Sequence, residues 1–164
     1  MLIKRSNIFE TNSSSTHSLA LCLKPINEYA KVVYLNGDGK YHLKFRNFEG
    51  EVEQITSLED KIAFLLQLSM QGNGYYYYQD SDISQEDLED TYEQLYDLDL
   101  FKKIEELLIL HNPSCRGMVV DDVKGHIDHQ TSSEYYRGED FLEDYNVSLE
   151  QYLFDNIILL ANHD

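Results

Sequence analysis

Two short stretches hold most of the side chains able to do chemistry. The first, Phe9-Glu10-Thr11-Asn12-Ser13-Ser14-Ser15-Thr16-His17-Ser18, sets one carboxylate and one imidazole among seven small hydroxyl or amide side chains. The second is Gly125-His126-Ile127-Asp128-His129-Gln130, followed by Thr131-Ser132-Ser133. In an extended chain His126 and Asp128 point one way, Ile127 and His129 the other. Nucleophilic catalysis would use Ser13, Ser14 or Ser15, activated by His17 or His129 with Asp128 orienting the imidazole. No G-x-S-x-G elbow is present, and three adjacent serines give no reason to choose one. Metal binding would draw on His17, His126, Asp128 and His129, with Glu10 as a further ligand for zinc or iron. The His126-Ile127-Asp128-His129 spacing matches the tail of the metal motif of metallo-hydrolases, but Lys124 stands where that motif has histidine. Hydroxyls beside backbone amides can also hold a phosphate or another anion. Against all three stands a structural reading, since Ser, Thr and Asn turn back on their own backbone and satisfy buried groups. The glycine patterns of nucleotide sites are absent, because Gly37-Asp38-Gly39 and Gly72-Asn73-Gly74 lack the rest of them, and no cofactor is specified.

The elements that would position these stretches can be read from period and punctuation. Met1 to Phe9 reads as a short strand or extended arm. Leu19, Leu21 and Leu23 share a parity and predict a strand with a buried face, ended by Pro25. Residues 31–35 and 41–46 flank the turn Asn36-Gly37-Asp38-Gly39 and predict a hairpin, with Lys40, Lys44 and Arg46 on one basic face. Ser57 caps a helix with the stripe Leu58, Ile62, Leu65 and Leu66, which Gln71-Gly72-Asn73-Gly74 stops. Tyr75 to Tyr78 is a strand or packed loop. Ser84 caps a second helix that buries Leu88, Tyr92 and Leu95. A third, from about Leu100 to Leu110, buries Ile104, Leu107 and Leu108, and the two can join at 97–99 as one bent helix. Met118 to Val120 is a strand, Ser148-Leu149-Glu150-Gln151 opens a short helix, and Ile157 to Leu160 is a buried strand in the same sheet as Leu19 to Leu23. The expectation is an α+β fold in a single domain spanning 1–164, with a mixed or antiparallel sheet and three to four helices. Cys22 and Cys115 lack any CxxC and suit a reducing compartment. With no membrane span or signal segment in view, the chain is expected to be cytoplasmic, in a host cell.

Charge is distributed unevenly. Residues 1–50 carry seven Lys/Arg against four Asp/Glu, whereas residues 51–164 carry six against 26 and a net charge of −20. From Asp80 to Asp99 there are nine acids and no Lys or Arg. Such a segment repels nucleic-acid phosphate and attracts a basic protein groove, including one that ordinarily holds nucleic acid. Asp80, Asp82, Glu86, Asp87, Glu89, Asp90 and Glu93 are the candidate partner-binding residues, and the partner expected is a basic host protein that binds nucleic acid. Direct binding of nucleic acid or of a membrane is not expected. The bland alternative is acidity that serves solubility alone.

The run Phe9-Glu-Thr-Asn-Ser-Ser-Ser-x-His17-Ser18, with the later Gly125-x-Ile127-Asp128-His129-Gln130, resembles the hallmark segments of a family of small uncharacterised proteins from bacteria and their phages. The two segments cover under a fifth of the chain. The resemblance implies a shared fold, a site built from both segments, and a phage or mobile-element origin, but it brings no established reaction. Small acidic phage proteins that occupy the nucleic-acid groove of a host defence enzyme are a recurring type, so an anti-defence inhibitor or nucleic-acid mimic is expected. An enzyme or ligand-binding domain using Glu10, Asn12, Ser13, Ser14, Ser15, His17, Asp128 and His129 is the alternative.

Overall fold

The Ser57 signal predicts an amphipathic helix, yet the helix that begins there is surrounded. The computed structural model describes residues 3–7, 18–23, 33–49, 52–72, 83–127 and 138–162. In it α1 (Leu58–Gly72) is buried at every position from Lys61 to Met70. Its start is the expected one: the Ser57 hydroxyl accepts the Asp60 amide at 3.0 Å, satisfying a donor that has no intrahelical partner. Phe64 on this helix sets its ring edge-on to Phe48 at 5.3 Å and to Phe141 at 6.4 Å. One hydrophobic cluster grows outward from these contacts.

A four-stranded sheet covers one side of that cluster. Its order is β1 (Ile3–Asn7), β2 (Ser18–Leu23), β6 (Ile157–Asn162) and β4 (Val52–Ile55), with every neighbour antiparallel. Leu21 pairs with Leu159, and Leu159 with Ile55, so three buried apolar side chains form one cross-strand row. The two runs expected to share a sheet do so.

β3 (Tyr41–Lys44) belongs to a second, two-stranded sheet and runs parallel to β5 (Met118–Asp122). This corrects the hairpin. The Asn36–Gly39 turn forms, with the Gly39 amide donating to the Asn36 carbonyl at 2.9 Å, but residues 33–36 are not a strand. Lys31 and Val32 lie outside the described residues. The backbone groups that a hairpin needs are taken elsewhere. The Tyr41 amide bonds the Gly117 carbonyl and the Phe45 amide the Asp122 carbonyl, while the Asn112 side chain holds the Val33 carbonyl. The basic face is corrected too. Lys40 and Lys44 are exposed, but the Arg46 guanidinium bonds Glu53 at 2.5 Å and Asp60 at 2.9 Å, over the Phe48 ring.

The second and third helices, α2 (Gln85–Asp97) and α3 (Asp99–His111), are separate. Leu98, extended with ψ 130°, breaks the chain direction between them. α3 buries Leu100, Phe101, Ile104 and Leu108, and Leu107 is half-buried. α4 (Asp140–Asp144) carries no cap signal in the sequence; only five residues long, it is held by buried Phe141 and Leu142. α5 (Leu149–Phe154) has the full capping box of Ser148 and Gln151. The fold is α+β, with five helices and two sheets among the described residues rather than three to four helices and one sheet. No helix among them is long and apolar enough to cross a membrane.

Candidate functional site

α2 is positioned by few contacts and offers most of its surface. Ser84 caps it, accepting the Asp87 amide at 3.1 Å and donating to the Asp87 carboxylate at 2.5 Å. Leu95 is its one buried residue, and Leu88 and Tyr92 are half-buried. Tyr92 stacks on Tyr96, whose ring meets the edge of Phe101 on α3 at 4.9 Å. The Tyr92 hydroxyl donates to the Asp121 carbonyl at 3.1 Å and so ties α2 to β5. Glu86, Asp87, Glu89, Asp90 and Glu93 are all exposed, and the helix holds no Lys or Arg. Among these acids Glu89 also accepts from the Gln85 side chain at 2.9 Å. Asp80 and Asp82 lie outside the described residues.

Where Tyr92 of α2 meets the β3–β5 sheet stands a cluster that the sequence analysis does not contain. The His42 ring places Nδ1 at 2.9 and 3.0 Å from the two carboxylate oxygens of Asp121, and Nε2 at 2.9 Å from Asp38. The β3–β5 register accounts for Asp121. Leu43 pairs with Val120 and Lys44 with Asp122, which leaves Asp121 as an extra residue in a bulge; bulges re-aim side chains. Hydrogen bonds donated by the ring to Asp38 and Asp121 raise the His42 pKa above its ordinary 6.5. The Asp38 carboxyl is held below its usual range, first by the Lys40 amide and then by His42. Asp38 and His42 lie four residues apart across a turn, a local spacing that could have signalled the pair. Asp121 is 79 residues away and enters only through the parallel pairing.

His126 is the one described member of the expected Ser/His site. Its Nδ1 lies 2.9 Å from the Asn47 amide oxygen and its Nε2 3.5 Å from Glu49. The expected residues Glu10, Asn12, Ser13, Ser14, Ser15, His17, Asp128 and His129 lie outside the described residues, as do Tyr75 to Tyr78. The elements that carry their segments are near one another. Asn7 pairs with Ser18, Ser18 with Asn162, and Asn162 with Val52, so residues 8–17 join two adjacent strands at one end of the sheet. Ile127 bridges Phe48, and Val52 follows Phe48 by four positions, a reach of about 14 Å at most. The Gln71 side chain, on the last turn of α1, fixes both the amide and the carbonyl of Ile127.

No group of three His, Cys, Asp or Glu side chains among the described residues is arranged to hold a metal ion. Lys61, fully buried, donates to the Tyr152 carbonyl at 2.7 Å and faces the Tyr152 ring, which ties α1 to α5. Burial, aided by Asp60, pushes the Tyr152 phenol well above its ordinary value. No family model, curated protein or solved structure matches the chain.

Proposed function

We propose that this protein is an acidic, phage-type binding protein that docks α2 on a basic surface of a nucleic-acid-binding host protein, as an anti-defence inhibitor or nucleic-acid mimic. One observation carries the reading. Six carboxylates, Asp97 with the five named above, stand exposed on a single helix that has no cation of its own and rests on the fold through Leu95 and Tyr92. A helix spending so little surface on packing leaves its charged faces open to a partner. Exposed like charges at i,i+3 and i,i+4 repel, and a basic groove would relieve that repulsion. The net charge of −20 over residues 51–164 would steer such a partner toward the protein.

The test uses proteins retained from a host lysate on the immobilised chain, each then rebound in competition with duplex DNA. Binding should be displaced by DNA and weakened steeply by salt. Reversing Glu86, Glu89, Asp90 and Glu93 to Lys should slow association at least tenfold with little change in dissociation. Asp87 is left alone because it is bonded to the cap residue Ser84. A partner that binds equally well to the charge-reversed protein, or that ignores DNA, would overturn the reading. If His17→Ala abolished biological activity in a folded protein while the charge-reversed one kept it, the function would move to the Ser/His segments.

A further inference from the structure

We infer that His42 is a pH-operated clasp that holds the Asp38 side chain of the Asn36–Gly39 turn to Asp121 of β5 while its imidazole is doubly protonated and releases that side chain when it is not; the turn's backbone stays tied through the Gly39 carbonyl, which accepts the Arg116 amide at 2.8 Å. Both ring nitrogens lie within 3.0 Å of carboxylate oxygens on two different elements. A carboxylate can only accept, so both contacts are hydrogen bonds only if both nitrogens carry protons. A neutral ring keeps one proton and can serve one carboxylate.

Geometry selects which contact survives. Asp121 presents both oxygens to Nδ1, whereas Asp38 presents one oxygen to Nε2 and gives its other to the Lys40 amide at 3.0 Å. The proton therefore stays on Nδ1, and the Nε2 lone pair is left facing the Asp38 carboxylate. That contact is repulsive, and Asp38, the more exposed of the two, swings away. The charged groups acting on the ring are Asp38 from the turn and Asp121 from β5. From α2, Tyr92 reaches the Asp121 carbonyl with a phenol that burial, Asp122 and Asp121 hold neutral beyond its ordinary range. Lys40 contributes its amide to Asp38, and Arg116 lies along Gly39. Opening removes one positive charge and frees one carboxylate beside the seat of α2.

The folded-state pKa of His42 is raised, so the clasp's contribution to stability is complete below about pH 6.5. It is lost as pH rises through the folded value. The experiment is an NMR titration of the full chain, reading both His42 ring nitrogens by long-range nitrogen–proton correlation together with the Gly39 and Lys40 amide shifts. At pH 6 both ring nitrogens should be protonated. The midpoint should lie above 6.5, the ring should pass to the Nδ1–H tautomer, and the Lys40 amide should shift with the same midpoint. Asp38→Asn and Asp121→Asn should each bring the midpoint down toward 6.5, and His42→Gln should leave the Lys40 amide flat across the range. A midpoint at or below 6.5, or a ring that titrates without moving the Lys40 amide, overturns the proposal. If His42→Gln fails to fold, the two Asn variants decide it by the direction of the midpoint.

Discussion

α1 and α2 are nearly the same length and each begins on a serine cap, yet one is the centre of the fold and the other lies against its side. α1 is buried along its whole middle, polar residues included. Those polar residues are all employed. Gln67 bonds both the amide and the carbonyl of Arg46, Ser69 receives the Gly138 amide, and Lys61 caps the Tyr152 carbonyl. In each case a side chain of α1 satisfies backbone that has no ladder partner there. α2 inverts this arrangement, with one buried residue and its acids facing outward. A polar residue in a helix therefore marks solvent only when no unpaired backbone stands opposite it.

The sharpest way to break the comparison is to cut a cavity in α1. Phe64→Ala removes a fully buried ring that contacts Phe48 and Phe141, and it should cost about 3–5 kcal/mol in urea unfolding. Leu88→Ala on α2, half-buried, should cost less than half as much. Equal losses would mean that α2 is anchored as deeply as α1. Next in size is the cap. Ser84→Ala should cost about 1 kcal/mol, and faster amide exchange should appear first at the N-terminal turn of α2, since Ser84 accepts from Asp87. Slow exchange there, with the loss spread over the whole fold, would mean that α2 unfolds only with the core.

What could be read in the sequence follows the same division. Caps and local periods are short-range, so Ser57, Ser84 and Ser148 marked three helix starts correctly. Parity likewise marked β2 and β6. The depth of α1 was signalled by the near-continuous apolar run from Ile62 to Met70, which exceeds what a one-sided helix needs. The second sheet was illegible for a different reason. Its strands lie 73 residues apart from the end of β3 at Lys44 to Gly117 before β5, and a turn as strong as Asn36–Gly39 invites the local pairing instead. Turn chemistry fixes where the chain reverses, not which strand the reversed chain joins. His42 shows the same limit: Asp38 lies in the turn just before it, whereas the bulge that delivers Asp121 has no local signal.

The smallest expected effect is the most informative about α2. Glu89→Gln, Asp90→Asn and Glu93→Gln together neutralise three exposed acids beyond the first helical turn. Their packing role is nil, because none lies on the Leu88-Tyr92-Leu95 side. Their helix-dipole benefit is small at that depth. What they do contribute is repulsion: Glu86 with Asp90 and Glu89 with Glu93 are like-charge pairs at i,i+4, each unfavourable by roughly 0.2–0.5 kcal/mol. Gln at 89 still offers Gln85 an acceptor, so the one side-chain bond there survives. The triple variant should therefore unfold within about 0.5 kcal/mol of the parent, on the more stable side at low salt, with the difference vanishing as salt screens the parent's charges. A salt-independent loss above about 1.5 kcal/mol would show the acids to be structural, and would remove the premise that α2 keeps them for a partner.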